Sequence, residues 1–385
     1  MTTLPVQRHL FDIPDEIAYF NCAYYSPQLN ESRRRLLTGV DQKSHPWERM
    51  ATDFFSDADS IRNLAARIFG GSVDGYAIIP SASYGLSTAA RVIEPHLRKG
   101  DRILYAAEEF PSGVLPWMSA AQATGAIPVA VPAPEDGNWT EAILARIEKG
   151  VKVVAASTCH WTNGAFVDLV AIGRACREIG SALVIDATQS LGAMPLSLDE
   201  VQPDFLAASG YKWLLCPYGF GLLYVAERWR NARPLEESWL TRDNASDFAG
   251  LANNSGNYLP GARRFDVGET CTPTILPGVI AALEQIEAWG VANIAETLKE
   301  INEKVAAMLE CHGFILPEPS QRSPHLFGAR MSANFSGNLL AELKERNVFV
   351  SQRSNSIRIA PHLHCSANDV DRFQQALEQI SRKTL

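Results

Sequence analysis

The sequence predicts an α/β protein, with a large domain on a mostly parallel sheet and a small α+β domain after it. Three observations predict this. From about Ile61 to Val225, short apolar runs alternate with amphipathic stretches, the pattern of successive βαβ units. Runs such as Ala182–Ile185 are apolar without interruption, as in strands covered on both faces. Beyond His312 the pattern changes to β-β-α-β-β-α. The large domain is expected over residues 20–270. The small one is expected over 276–385, with residues 1–19 packed against it.

The elements follow in order. Ser60–Phe69 reads as an amphipathic helix, Tyr76–Ile79 as a strand and Tyr84–Glu94 as a helix. Arg102–Ala106 is a strand, Trp117–Thr124 a helix and Ile127–Val131 a strand. Thr140–Glu148 is helical, Val151–Ser157 a strand and Leu169–Ile179 a helix. Strands follow at Ala182–Ile185, Phe205–Ala208 and Gly221–Val225. Leu240–Ala262 is rich in Asn, Gly, Ser and Asp and has no period. It is long for a structureless connection, so it is a candidate functional loop. Leu276–Glu310 is a long helical region broken near Gly290, and Ser366-Ala367-Asn368-Asp369 has the form of a capping box opening the last helix.

Composition excludes several function classes. A chain of 385 residues, 46% hydrophobic, can bury a large core. The net charge is −8 and no basic tract is present, so nucleic acid is not an expected partner. No stretch approaches the roughly 20 continuous apolar residues that span a bilayer, and the first residues lack a signal-peptide pattern. The seven cysteines are odd in number and scattered, without disulfide or zinc spacing; they predict reduced thiols, a cytoplasmic location and no bound metal. No G-x-G-x-x-G follows an early strand, which argues against a nicotinamide enzyme.

The chemistry concentrates at strand ends. In an open α/β sheet, ligands bind at the carboxyl ends of the strands. Val184-Ile185-Asp186-Ala187-Thr188-Gln189 ends one strand, and Ser209-Gly210-Tyr211-Lys212-Trp213-Leu214 ends another. An aspartate and a lysine so placed suggest pyridoxal 5'-phosphate (PLP) chemistry: the lysine holds the cofactor as a Schiff base, and the aspartate keeps the pyridine nitrogen protonated. A lysine after a strand is ordinarily a solvated residue; flanking Tyr211 and Trp213 are the kind of surroundings that desolvate an amine. Asp186 reads equally as a turn or capping aspartate. Gln189, three residues on, is in place to reach a phenolic oxygen or to lie on a helix surface.

Other segments complete a pocket. Pro80-Ser81-Ala82-Ser83-Tyr84-Gly85-Leu86 follows a strand and opens a helix, so its backbone N–H groups form an anion site. Ser209 and Tyr211 offer hydroxyls to the same phosphate, or ordinary loop hydrogen bonds. Phe110 stacks on a cofactor ring or packs in the core. His160 and Trp161, past another strand end, face a substrate or pack as a hydrogen-bonded pair. Arg358, inside the apolar strand Ser356-Ile357-Arg358-Ile359, is a fork for an amino acid's α-carboxylate or one half of a structural salt bridge.

Together these residues resemble the class V aminotransferase family of fold-type I PLP enzymes, which includes cysteine desulfurases, selenocysteine lyases, kynureninases and isopenicillin N epimerase-like proteins. The likeness runs from Tyr19-Phe20-Asn21 to the last helix. Asp186-Ala187-Thr188-Gln189 is similar to the family's D-x-x-Q, and Ser209-Gly210-Tyr211-Lys212 to its S-x-[HY]-K. The resemblance implies that Lys212 carries the cofactor, Asp186 pairs with the pyridine nitrogen and Gln189 touches the phenolate. It implies that Ala82, Ser83, Ser209 and Tyr211 hold the phosphate, Phe110 stacks on the ring and Arg358 takes the substrate carboxylate. Arg264-Phe265-Asp266-Val267-Gly268-Glu269-Thr270 resembles a family loop whose threonine reaches the partner's phosphate; with a one-residue shift, that threonine is Thr270. A homodimer with shared active sites and a small amino substrate are implied as partners.

One departure narrows the reaction. Desulfurases carry a nucleophilic cysteine upstream of the carboxylate-binding arginine, and Val348–Ile357 contains none; Cys365 lies on the other side of Arg358. An aminotransferase is the reading taken forward. A β-lyase or an epimerase sharing its first half-reaction is the alternative. A non-catalytic PLP-fold protein is disfavoured because both Lys212 and Asp186 are present.

Overall fold

The computed structural model describes residues 2–253, 256–331 and 338–384. The chain opens with a two-residue strand, β1 (Ala18–Tyr19), and helices α1 (Asn30–Ser44) and α2 (Ser56–Phe69). Then come β2 (Tyr76–Ile79), α3 (Ala82–Ile93), β3 (Arg102–Ala106), α4 (Pro111–Thr124), β4 (Ile127–Val131), α5 (Trp139–Leu144), β5 (Val151–Ser157) and α6 (Leu169–Ile179). β6 (Ala182–Asp186), α7 (Leu198–Val201), β7 (Phe205–Ser209) and β8 (Gly221–Val225) complete this part. Two long helices follow, α8 (Leu276–Trp289) and α9 (Val291–Cys311). The last part holds β9 (Phe327–Arg330), α10 (Leu339–Lys344), β10 (Val348–Phe349), β11 (Ser351–Arg353), β12 (Ser356–Ile359) and α11 (Ala367–Thr384).

The central sheet has seven strands in the order β2-β8-β7-β6-β5-β3-β4. Neighbours from β7 to β4 run parallel, and β8 runs against both β2 and β7. The reason for β8's direction is local. The β7–β8 connection contains no crossover helix, and without one a chain returns antiparallel. Both faces are covered, as the continuous apolar runs predict. Leu104, Val154, Leu183 and Leu206 point into one core, whereas Ile103, Val153, Val184 and Phe205 point into another. Adjacent residues serving opposite cores is the period of two expected of a strand.

A third core lies around the C-terminal sheet, β11-β12-β9, and joins Ala18, Phe20, Phe327, Ile357, Ile359 and Phe373. β1 pairs in parallel with β10, which joins Ala18 and Tyr19 to this part, whereas Leu4, Leu10, Phe11 and Ile13 pack on the first core. The break near Gly290 is observed: Gly290 takes φ +76° between α8 and α9. At the last helix only half of the expected capping box forms. The Asp369 carboxylate accepts the Ser366 N–H at 2.7 Å, but the Ser366 hydroxyl turns to that same carboxylate at 2.8 Å.

Several elements differ from expectation, among them α1, for which no helix is expected, and α2, which starts at Ser56 rather than Ser60. α4 starts at Pro111 and runs through Pro116, six residues earlier than Trp117. α5 ends at Leu144, because Ala145 and Arg146 tighten into a turn before β5. The first strand expected after His312 is reduced to a single bridge between Ile315 and Arg330.

Candidate active site

The parallel register brings the chemistry to one edge. Ser157 pairs with Asp186, and Asp186 with Ala207, so β5 and β6 end level and β7 runs two residues further, to Ser209. Beyond those ends lies a pocket lined by Lys212, Asp186, Gln189, Ser209, Tyr211, Ala82, Ser83 and Phe110. Every residue expected to hold a cofactor is there except Thr270. That side chain is buried beside Asp266 in a separate cleft and does not line the pocket within one chain.

Lys212 is 8% exposed, and loss of hydration pushes its amine down to about 8. Asp186 opposes that shift; the cations Arg358 and Arg353 add to it. The Lys212 Nζ stands 5.9 Å from the Phe110 ring centroid and 5.6 Å from that of Tyr211. Burial raises the Asp186 carboxyl, while hydrogen bonds from Thr188 oppose the rise; the Thr188 N–H is donated at 2.9 Å. The Thr188 hydroxyl also accepts the Ser209 N–H at 3.1 Å, tying the ends of β6 and β7 together.

The amide of Gln189 is already oriented. Its Oε1 accepts the Trp213 indole N–H at 3.1 Å, and its Nε2 donates to the Ala23 carbonyl at 3.1 Å. One amide hydrogen remains for the pocket that Gln189 lines.

The anion end is built on α3. The Ser81 hydroxyl caps the helix by accepting the Tyr84 N–H at 3.2 Å, and lies 2.8 Å from the Ser83 hydroxyl. The Ser209 hydroxyl accepts the Ala82 N–H at 3.0 Å. Hydroxyls and a helix N-terminus thus converge, an arrangement that favours phosphate. Gly85 lets the helix lie this close: a Cβ there would meet Ile79 Cδ1 at 2.7 Å and Ala207 Cβ at 2.9 Å.

Arg358 is 1% exposed. Its Nε donates to the Ser351 hydroxyl at 3.1 Å and its Nη1 to the Trp161 carbonyl at 2.8 Å, while Nη2 has no partner. Among the described residues no carboxylate pairs with it, so the salt-bridge reading is set aside. Burial and the neighbouring Arg353 push its guanidinium down to about 9. A buried N–H without an acceptor is costly, so an acceptor on a ligand would stabilise it. Arg358 does not itself line the pocket and meets it through the carbonyl of Trp161.

His160 and Trp161 divide between their two readings. His160 lies flat on Trp139, with centroids 4.8 Å apart at 4°, and bonds Thr162 and the Ala107 carbonyl, so it is a packed residue. Trp161 lines the pocket, edge-on to Phe110 at 5.4 Å. None of the described residues of Leu240–Ala262 lines the pocket.

Sequence reasoning missed Glu109 and Cys159. The Glu109 carboxylate accepts the Ser157 hydroxyl at 2.8 Å and the Phe110 N–H at 2.7 Å. Burial, with Asp186 adding to it, pushes it up to about 7. Its place beside Phe110 past a strand end was the available signal. Cys159 also lines the pocket, but burial pushes its thiol up to about 12, so it is not a thiolate. Cys365 is buried elsewhere, its thiol directed to the Tyr19 carbonyl at 3.3 Å.

This donor set fits pyridoxal phosphate: a buried amine near neutrality, an acid at the next strand end, a helix-capped anion cup and an unpaired guanidinium. Comparison with known proteins agrees. Residues 40–370 match the family model for class V aminotransferases, and the chain belongs to that family. A Bacillus subtilis relative named uncharacterized aminotransferase YcbU is 27% identical over 339 residues, covering 84% of this chain and 83% of the relative. The apo structure of a cysteine desulfurase from Thermococcus onnurineus NA1 superposes with a TM-score of 0.85 at 19% identity, covering 100% of both chains. A C-DES mutant with glycine covalently linked to its PLP cofactor gives 0.88 at 17% identity, over 97% of this chain and 99% of that one. At these identities the structural likeness establishes the fold-type I architecture.

No described helix is long and apolar enough to cross a membrane.

Proposed function

We propose that this protein is a PLP-dependent aminotransferase acting on an amino acid. The observation that carries the reading is a buried amine, Lys212, held at about 8 in one pocket with Asp186. Lys212 would hold the cofactor covalently, and Asp186 would keep a proton on its ring nitrogen. Ala82, Ser83, Ser209 and Tyr211 would take the phosphate. Phe110 would stack on the ring, and the remaining Gln189 N–H would reach the phenolic oxygen. When bound, the cofactor supplies an electron sink for the negative charge that develops at Cα.

The chain's own residues do the rest. The free Nη2 of Arg358 takes the substrate carboxylate and so fixes which bond at Cα faces the lysine. Lys212, about half neutral at pH 8, takes the Cα proton onto its Nζ as general base. Trp161 and Phe110 form an aromatic wall of the pocket, with Phe110 still partly open to solvent. A persulfide route is disfavoured because the thiols of Cys159 and Cys365 are protonated and residues 348–357 carry none. Thr270 would serve the pocket of a second copy in a homodimer.

The test is a spectrum of the purified protein, followed by a panel of amino acids. A visible cofactor band that borohydride fixes onto Lys212 supports the cofactor assignment. Keto acid released in stoichiometric amount without ammonia supports transamination; ammonia released with it would overturn transamination in favour of elimination.

A further inference from the structure

β11 and β12 form an antiparallel hairpin in which Ser351 faces Arg358 and Arg353 faces Ser356. Successive side chains of a strand point to opposite faces. Ser351, Arg353, Ser356 and Arg358 therefore share one face, whereas Ile357 and Ile359 point into the C-terminal core. The arginine face meets the loop that carries Trp161. Arg358 holds the Trp161 carbonyl at 2.8 Å, and the Arg353 guanidinium lies 5.4 Å from the centroid of the same residue's ring.

That loop docks closely because of two glycines. A Cβ at Gly328 would meet Asn163 Cα at 2.9 Å, and one at Gly164 (φ +70°) would meet the Leu326 carbonyl oxygen at 2.1 Å. Two cations are thus held on one face beside a pocket that already contains a lysine. Arg353 is one of the charges that push down both Lys212 and Arg358. Among the described residues Arg353 donates from Nη1 to the Gln352 carbonyl at 2.7 Å and pairs with no carboxylate. Arg358 has one nitrogen to spare, enough for the α-carboxylate. Arg353 lies on the neighbouring strand, two residues from Ser351, which sits opposite Arg358. That places it one strand across and roughly 7 Å along, and it keeps most of its fork.

We propose that Arg353 anchors a second carboxylate, so that the substrate is an α-amino dicarboxylic acid with its α-carboxylate on Arg358 and its side-chain carboxylate on Arg353. This rests on the aminotransferase reading. Arginine matches a carboxylate bidentately, and the Trp161 ring, 5.4 Å away, favours a cation at this position. An anion placed there also relieves the repulsion between the two guanidinium groups.

The experiment uses diacids without an amino group, so that binding is read apart from turnover. Succinate and glutarate are compared with propionate and butyrate by calorimetry on the cofactor-bearing protein. Wild type is expected to bind the diacids about tenfold more tightly or better, the effect of one charge-assisted hydrogen bond. Arg353→Met is expected to abolish that preference while monoacid affinity stays within about twofold, and Arg353→Lys to restore part of it. No diacid preference in wild type, or an equal loss for monoacids and diacids in Arg353→Met, overturns the proposal. Failure of the aminotransferase reading would show separately, as a cofactor band that no amino acid alters.

Discussion

Replacing Lys212 by methionine should inactivate the protein and make its cofactor-free form more stable at neutral pH. Methionine matches the length of the lysine stem and removes only the amine. In the fold that amine is pushed from 10.5 down to about 8, chiefly by loss of hydration. In the unfolded chain it titrates near 10.4. The proton is therefore bound less tightly in the native state, and keeping it there below pH 8 costs about 3 kcal/mol, at about 1.4 kcal/mol per tenfold change in proton affinity. The sign follows from the depressed value. The penalty is absent above the unfolded pKa, grows as pH falls towards 8 and is complete below it. Urea denaturation of cofactor-stripped wild type and Lys212→Met at pH 7 and pH 10.5 measures it. An advantage of about 2–3 kcal/mol for the variant is expected at pH 7, mostly gone at pH 10.5. An equal difference at both pH values, or a less stable variant at pH 7, would refute the desolvated-amine reasoning and with it the poise of Lys212 as a base.

Further outcomes follow from the same geometry. Arg358→Leu should lower kcat/KM for an amino acid by about 100-fold, because truncating one partner of a buried charged bond costs about 2–5 kcal/mol. Its melting temperature should hold or rise, since an unpaired buried guanidinium is removed; lost activity with a lowered melting temperature would mark Arg358 as structural. Glu109→Gln should gain stability relative to wild type as pH rises through 7. The raised Glu109 carboxyl favours the fold while neutral, fully below its unfolded value near 4.3, and loses that contribution as it ionises; melting curves at pH 5 and 8.5 showing no change in the difference would contradict this. Gly164→Ala should destabilise by about 2 kcal/mol or more in chemical denaturation, because φ +70° and the Leu326 carbonyl at 2.1 Å both oppose a Cβ.

Much of the fold was legible because its strands are buried on both sides. Leu104, Val154 and Leu183 with their neighbours leave continuous apolar runs that need no partner to be recognised. α1 was not legible for the converse reason. Of its residues only Ser32 and Gly39 are buried, and it docks through small groups: a Cβ at Gly39 would fall 1.9 Å from the Pro273 carbonyl oxygen, and Ser32 donates to the Gly278 carbonyl at 2.9 Å. Such a helix presents no apolar stripe to read. α4 was read too short because Pro116 ordinarily marks a boundary, yet here the helix passes through it.

What the sequence by itself determined was the inventory and its approximate place: a lysine, an aspartate and a serine-rich turn at the carboxyl ends of strands, and an arginine inside an apolar strand. Chemistry of that kind follows from residue type and local pattern. What only the tertiary structure decided was which side chains are still free to act. Packing occupies His160 against Trp139 and leaves Trp161 in the pocket. It commits two bonds of Arg358 and strands the third nitrogen. It sets Glu109 beside Ser157, 48 residues away in sequence, and puts Arg353 over Trp161. Burial and long-range neighbours set these properties, and no local window of sequence contains them, because hydration and charge depend on what the rest of the chain folds against.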